Sequence, residues 1–112
     1  MLALKNRLKK KKDFDLIFKQ GQSFKQGRLY FKFKHNKLES NRFGFIVSKK
    51  FSKKAVERNK IKRQIREIVR SKKNKIKLPL DIIITVMPGA DDLEKTIDKA
   101  FKKINEAFSK NN

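Results

Sequence analysis

The chain has 112 residues, 38% of them apolar and ten of them Phe, so one domain over residues 1–112 with one modest core is expected. Thirty-two Lys and Arg stand against 11 Asp and Glu, and a net charge of +21 is normally kept because a polyanion neutralises it. The absence of Cys excludes disulfides and thiolate metal sites, the lone His35 excludes a His-built metal cluster or a serine-type triad, and no apolar run reaches the length of a membrane-spanning helix.

Residues 1–12 carry six basic side chains and no acid, which reads as a basic N-terminal arm, flexible or lying as a strand on its partner. Met1-Leu-Ala-Leu4 is too short an apolar run for a signal peptide, so a cytoplasmic location is expected. Asp13 is the expected N-cap of a short helix, because Phe14, Ile17 and Phe18 follow at i, i+3, i+4 spacing. Gly21 fits the stop of that helix. A pair or triple of strands comes next. Leu29, Phe31 and Phe33 alternate with Tyr30, Lys32 and Lys34, the period of a sheet with one apolar face. A turn over Asn36–Asn41 separates this strand from another at Phe43-Gly-Phe-Ile-Val47.

From about Ala55 to Arg70 the period becomes helical. Ile61, Ile65, Ile68 and Val69 form one stripe, and Asn59, Arg63, Arg66 and Arg70 collect on the opposite side with Lys62 at its border. Lys72–Lys77 reads as a basic linker, and Pro79 requires that the helix has already ended. Asp81-Ile-Ile-Ile-Thr-Val86 is a buried central strand, and Pro88-Gly89 turns the chain. Asp91, Asp92 and Glu94 suit the positive N-terminal end of a last helix with Leu93, Ile97, Ala100, Phe101, Ile104 and Phe108 as its stripe. The order α-β-β-β-α-β-α predicts an α/β (α+β) two-layer sandwich with a central sheet of about four strands.

The charges are segregated. Arg42–Lys77 holds 15 basic residues against Glu57 and Glu67, whereas Asp81–Glu106 holds six acids against four bases. A charge run is usually a solvated face. Here Arg recurs along one helix side at 63, 66 and 70, and guanidinium groups contact phosphate bidentately and stack on bases. One functional surface built from this helix, the loop before it and the N-terminal arm is the economical reading.

Ser48–Glu67 reads SKKFSKKAVERNKIKRQIRE. This resembles the signature of the bacterial ribonuclease P protein, a basic loop leading into A-V-x-R-N-x-x-K-R-x-x-R-E; Ala55, Val56, Arg58, Asn59, Lys62, Arg63, Arg66 and Glu67 match it. Arg7-Leu-Lys-Lys10 followed by Asp13-Phe14 and Phe18 is similar to the family's N-terminal segment, so the resemblance runs over nearly the whole chain. Two positions depart from the pattern. Lys60 replaces an Arg, which keeps the charge and loses the fork geometry, and Ser52 stands where the loop usually has Gly, in a loop one residue longer.

The resemblance implies a ribonucleoprotein in which an RNA subunit performs magnesium-dependent removal of the 5′ leader from precursor tRNA, with no cofactor bound by the protein itself. It implies an RNA-subunit surface of Lys49, Lys50, Lys53, Lys54, Arg58, Asn59, Lys60, Lys62, Arg63, Arg66 and Arg70. It also implies a leader cleft of Phe14, Phe18, Tyr30, Lys32 and Lys34, and a left-handed βαβ crossover where base rates favour the right-handed one. The residues by themselves leave alternatives. Phe14 and Phe18 at i, i+4 are ordinarily core, Tyr30 equally suits plain sheet surface, and His35 is unremarkable. Arg58 falls near the apolar stripe, in an irregular first turn or bonded to backbone carbonyls. A ribosomal or other general RNA-binding protein fits the composition equally well, and a membrane-surface protein fits it less well. A self-contained nuclease needs clustered carboxylates and the acids are scattered, so the isolated chain is expected to be inactive. Asp13 and Asp15 are better read as helix-start residues than as a magnesium site. No obligate protein partner and no membrane partner is expected.

Overall fold

The computed structural model describes residues 2–109 and runs α1 (Lys11–Gln20), β1 (Gln22–Gln26), β2 (Leu29–His35), β3 (Arg42–Val47), α2 (Ala55–Lys72), β4 (Leu80–Val86) and α3 (Leu93–Ser109). The four strands form one sheet in the order β1-β2-β4-β3. β1, β2 and β4 are antiparallel neighbours, while β3 lies parallel to β4 and reaches it through α2.

β4 reads as a nearly unbroken apolar run because it is covered on both faces. Ile82, Ile84 and Val86 meet Phe31, Phe43 and Val47 on one face, under the stripes of α2 (Ile61, Ile65, Val69) and α3 (Ile97, Ala100, Phe101, Ile104). Burying a side chain such as Ile65 or Ile97 completely contributes roughly 1.5–3 kcal/mol. Ile83 points to the other face, where Leu8 and Ile17 form a smaller cluster with Phe14 and Ile46. On that face α1 shares the cover with Leu8 of the N-terminal segment. The side chain of Phe108 lies outside the described residues.

Four local expectations are corrected. The segment before α1 is neither a flexible arm nor a full strand. Leu2, Asn6 and Leu8 are buried, a 3-10 turn covers Leu4–Asn6, and a single parallel bridge ties Arg7 to Phe43, with the Leu8 N–H donating to the Phe43 carbonyl at 2.9 Å. Its apolar residues at 2 and 8 supply the anchoring that its charge count obscures. Asp13 is not an N-cap. The helix starts three residues earlier, with Lys10 at the N-cap and no side-chain cap, and Asp13 in its first turn lies 3.4 Å from Arg42 instead. Gly21 does end α1, but in extended conformation (φ −75°) and not by a left-handed turn. A Cβ there would lie 2.6 Å from the Ile17 carbonyl oxygen and 2.9 Å from that of Phe33, so the close approach of α1 to β2 requires glycine.

Residues 72–77 are not a free basic linker. Lys72 completes α2 and is buried against α3, 2.9 Å from Asp98 and 3.5 Å from Glu94. Lys75 also reaches Asp98, at 3.0 Å, from the 3-10 turn at Lys73–Lys75. The hydrogen bond from Lys72 holds the Asp98 carboxyl below its ordinary value, helped by Lys75; that same bond holds the Lys72 ammonium above its own. This pairing clamps α2 to α3.

Candidate nucleic-acid interface

The loop before α2 is pinned from several sides. Phe51 packs on the core, and its N–H donates to the Ser48 carbonyl at 3.0 Å. The Ser52 hydroxyl accepts the Lys54 N–H at 3.1 Å and bonds the Glu57 carboxylate. Arg58 is half-buried, and its Nη1 donates to the Ser52 carbonyl at 2.8 Å. This is the carbonyl-bonding alternative for the residue that sat awkwardly beside the apolar stripe. Lys49, Lys50, Lys53 and Lys54 are left exposed around the N-terminal end of α2. That end is itself electropositive.

Along α2 the buried Ile61, Ile65 and Val69 force the opposite side outwards. Asn59, Lys60, Arg63, Arg66 and Arg70 are exposed there, and Lys62 is half-buried at the border. They are not equivalent. Arg63 carries its charge to solvent; the Arg66 guanidinium lies 5.8 Å from the centroid of the Phe45 ring; Arg70 is bound to Glu67 at 3.0 Å. A cationic face of this size has the chemistry that phosphate groups require.

The second group of predicted residues meets on the opposite side of the sheet, around α1. β2 turns Leu29, Phe31 and Phe33 into the core, so Tyr30, Lys32 and Lys34 project, half-buried, on the α1 side. Phe18 is 42% exposed, and the Lys32 ammonium stands 5.7 Å from its ring centroid. Phe14 is half-buried and its ring lies over Gly44, where a Cβ would come within 2.5 Å of it. Of the aromatic pair, then, Phe14 is partly core and Phe18 presents its ring to solvent, while Ile17 between them takes the buried position. An exposed ring beside ammonium groups is the type of surface that grips single-stranded RNA. His35 is exposed at the end of β2.

Two contributors escaped the sequence reading. Arg42 belongs to the basic window, yet it makes a bidentate pair with the buried Asp81, at 2.8 and 2.6 Å, and reaches Asp13 as well. The Asp81 bonds raise its pKa further above the ordinary guanidinium value. This pair holds the entry of β3 to β4 and gives α1 a polar anchor; Asn36 adds a 3.0 Å bond to Asp81. Only the strand register, which sets Arg42 opposite Asp81, reveals it. Phe45 was assigned to a strand, but its place beneath Arg66 depends on α2 packing over β3. Among the described residues no group of three His, Asp or Glu side chains is placed to hold a metal ion, and no helix is long and apolar enough to cross a membrane.

Comparison with known proteins follows the same lines. A family model described as Ribonuclease P matches residues 2–111. The ribonuclease P protein component of Legionella pneumophila is 36% identical over 118 aligned positions, covering 98% of this chain and 100% of the relative. That of Thermotoga maritima is 41% identical over 80 residues, covering 71% of this chain and 68% of the relative. Among solved structures, the Staphylococcus aureus RNase P protein superposes with a TM-score of 0.79 at 35% identity, covering 88% of this chain and 94% of that one. The Thermotoga maritima RNase P protein gives 0.66 at 35% identity, covering 89% and 88%.

Proposed function

The chain belongs to the bacterial ribonuclease P protein family, and on that premise we propose that it binds the RNA subunit through the cationic face of α2 and the 5′ leader of precursor tRNA along α1 and the sheet. Hydrolysis falls to the RNA subunit and the magnesium ions it binds. The protein neutralises phosphate charge and offers platforms for unpaired bases, and alone it does not cleave. The complex works in the cytoplasm, where tRNA precursors are processed.

The observation that carries this reading is the exposed row Asn59, Arg63, Arg66 and Arg70, set directly opposite the buried stripe of the same helix. Arg58 holds the loop Lys residues at the head of that row, so loop and helix form one surface. Phe18, Tyr30, Lys32 and Lys34 supply a second, smaller surface whose mix of rings and ammonium groups suits a single strand.

Reconstitution tests it. The protein is mixed with a bacterial ribonuclease P RNA and precursor tRNA at low magnesium. Leader removal that needs both macromolecules is the expected result. Tight RNA binding with no gain in cleavage, for cognate as well as heterologous RNA, would leave only a general RNA-binding protein.

A further inference from the structure

A pocket of about 310 Å³ opens at the outer edge of β3, between the N-terminal segment, α1 and α2. Its volume is at the small end of the range of about 300–1,000 Å³ typical of ligand pockets. Its walls have two characters. The half-buried Phe14 and Phe45 supply aromatic surface, and Arg7, Lys9 and Arg66 supply positive charge, with no carboxylate in the lining; the Phe43 ring itself is turned into the core. Gly44 forms part of the floor. A side chain there would collide with the Phe14 ring, so the glycine keeps the aromatic wall in place.

The pocket also borders backbone that has no strand beside it. β3 is the edge of the sheet, and the N-terminal segment makes only the Arg7–Phe43 bridge with it before turning away. Beyond that bridge the edge offers main-chain donors and acceptors to whatever enters. Aromatic faces, cationic groups without acids, and a short unpaired strand edge together match one chemical class. Rings stack on a base, guanidinium and ammonium groups hold its phosphate, and the strand edge meets the base's polar edge.

We propose that this pocket receives one unstacked nucleotide of a bound RNA, its base against Phe45 and the Arg66 guanidinium and its phosphate at Lys9 and Arg7. The inference rests on the RNA-binding role proposed above and adds a specific site to it. The pocket lies between the α2 face and the α1 side of the sheet, since Arg66 belongs to the first and Phe14 to the second. The nucleotide therefore comes either from the RNA subunit or from the precursor leader, and the two sources are separable by experiment.

The central variant is Phe45→Leu, which keeps apolar packing on the core and removes the stacking face. Its affinity is measured for the RNA subunit alone and, in the reconstituted holoenzyme, for precursor tRNA. Loss of one stacked base predicts about ten-fold weaker binding to whichever RNA supplies it, with the salt slope unchanged because no phosphate contact is lost. A benzophenone side chain at Lys9, on the pocket rim, should crosslink in the Phe45 background to a single nucleotide, and Phe45→Leu should abolish that focus. Far-UV circular dichroism and a melting curve establish that the variants are folded. Unchanged affinity of the folded variant for both RNAs overturns the inference, and so does the absence of a single-nucleotide crosslink from position 9 in either complex, a result that does not depend on Phe45→Leu folding. Arg63→Ala runs alongside as a control on the parent reading. If it weakens binding while Phe45→Leu does not, only the pocket assignment falls; if neither does, the α2 interface falls with it.

Discussion

Replacing Arg63 by Ala should flatten the salt dependence of RNA binding by about one phosphate contact. Arg63 is exposed near the middle of the cationic row on α2 and makes no ion pair among the described residues, so its charge is available to a phosphate. Each such contact contributes a slope of about −0.7 to −0.9 in log affinity against log salt. Between 50 and 200 mM salt that amounts to a loss of about 2.6- to 3.5-fold per contact. Contacts from Lys53, Lys54, Lys60, Arg63 and Arg66 together would weaken binding by about 130- to 500-fold over that range. With Arg63→Ala the loss over the same range shrinks to about 50- to 150-fold, while affinity at the lower salt also falls. Arg70→Ala should change the slope less, because Glu67 already neutralises much of that guanidinium at 3.0 Å. Filter binding or fluorescence anisotropy with the RNA subunit at four or five salt concentrations gives the slopes. A slope unchanged by Arg63→Ala, with the fold intact, would refute the assignment of this face to RNA.

Arg42→Ala removes a bidentate partner from the buried Asp81 and should cost about 2–3 kcal/mol in urea unfolding, at or below the lower end of the roughly 3–5 kcal/mol for breaking a fully buried pair because Arg42 is partly exposed; its salt slope for RNA should stay at the parent value. Ile17→Ala should cost about 2–5 kcal/mol of stability, whereas Phe18→Ala should cost under about 1 kcal/mol and instead weaken binding of precursor with a leader relative to mature tRNA, a comparison that a competition assay reads directly. The Lys72–Asp98 clamp sets a pH window. Asp98 is depressed, so its contribution is complete above the usual Asp value of about 3.9 and disappears as pH falls through the lower folded value. Lys72 is raised, so its share persists below about 10.4 and is lost only as pH climbs through the raised value. Asp98→Asn should therefore destabilise at neutral pH, and the gap between parent and variant should narrow as pH falls below the usual Asp value, as denaturant melts at pH 7 and pH 2.5 would record.

The sequence by itself determined the order of elements, the two helical stripes of α2 and the identity of the exposed row, because these follow from periods of 2 and 3.6 that any fold must respect. A run as long as Ala55–Glu67 also names its family without coordinates. The internal roles of charged residues could not be read that way. Arg42 and Lys72 look like members of a basic surface until strand register and helix docking set them against Asp81 and Asp98. The N-terminal segment looked like a free arm because its six cations dominate the composition, yet two leucines fix it along β3. Ion pairs, edge-strand pockets and anchored termini depend on which distant segments come within a few ångströms of each other. That is settled by how α1, α2 and α3 divide the two faces of the sheet, and local periodicity carries no information about it.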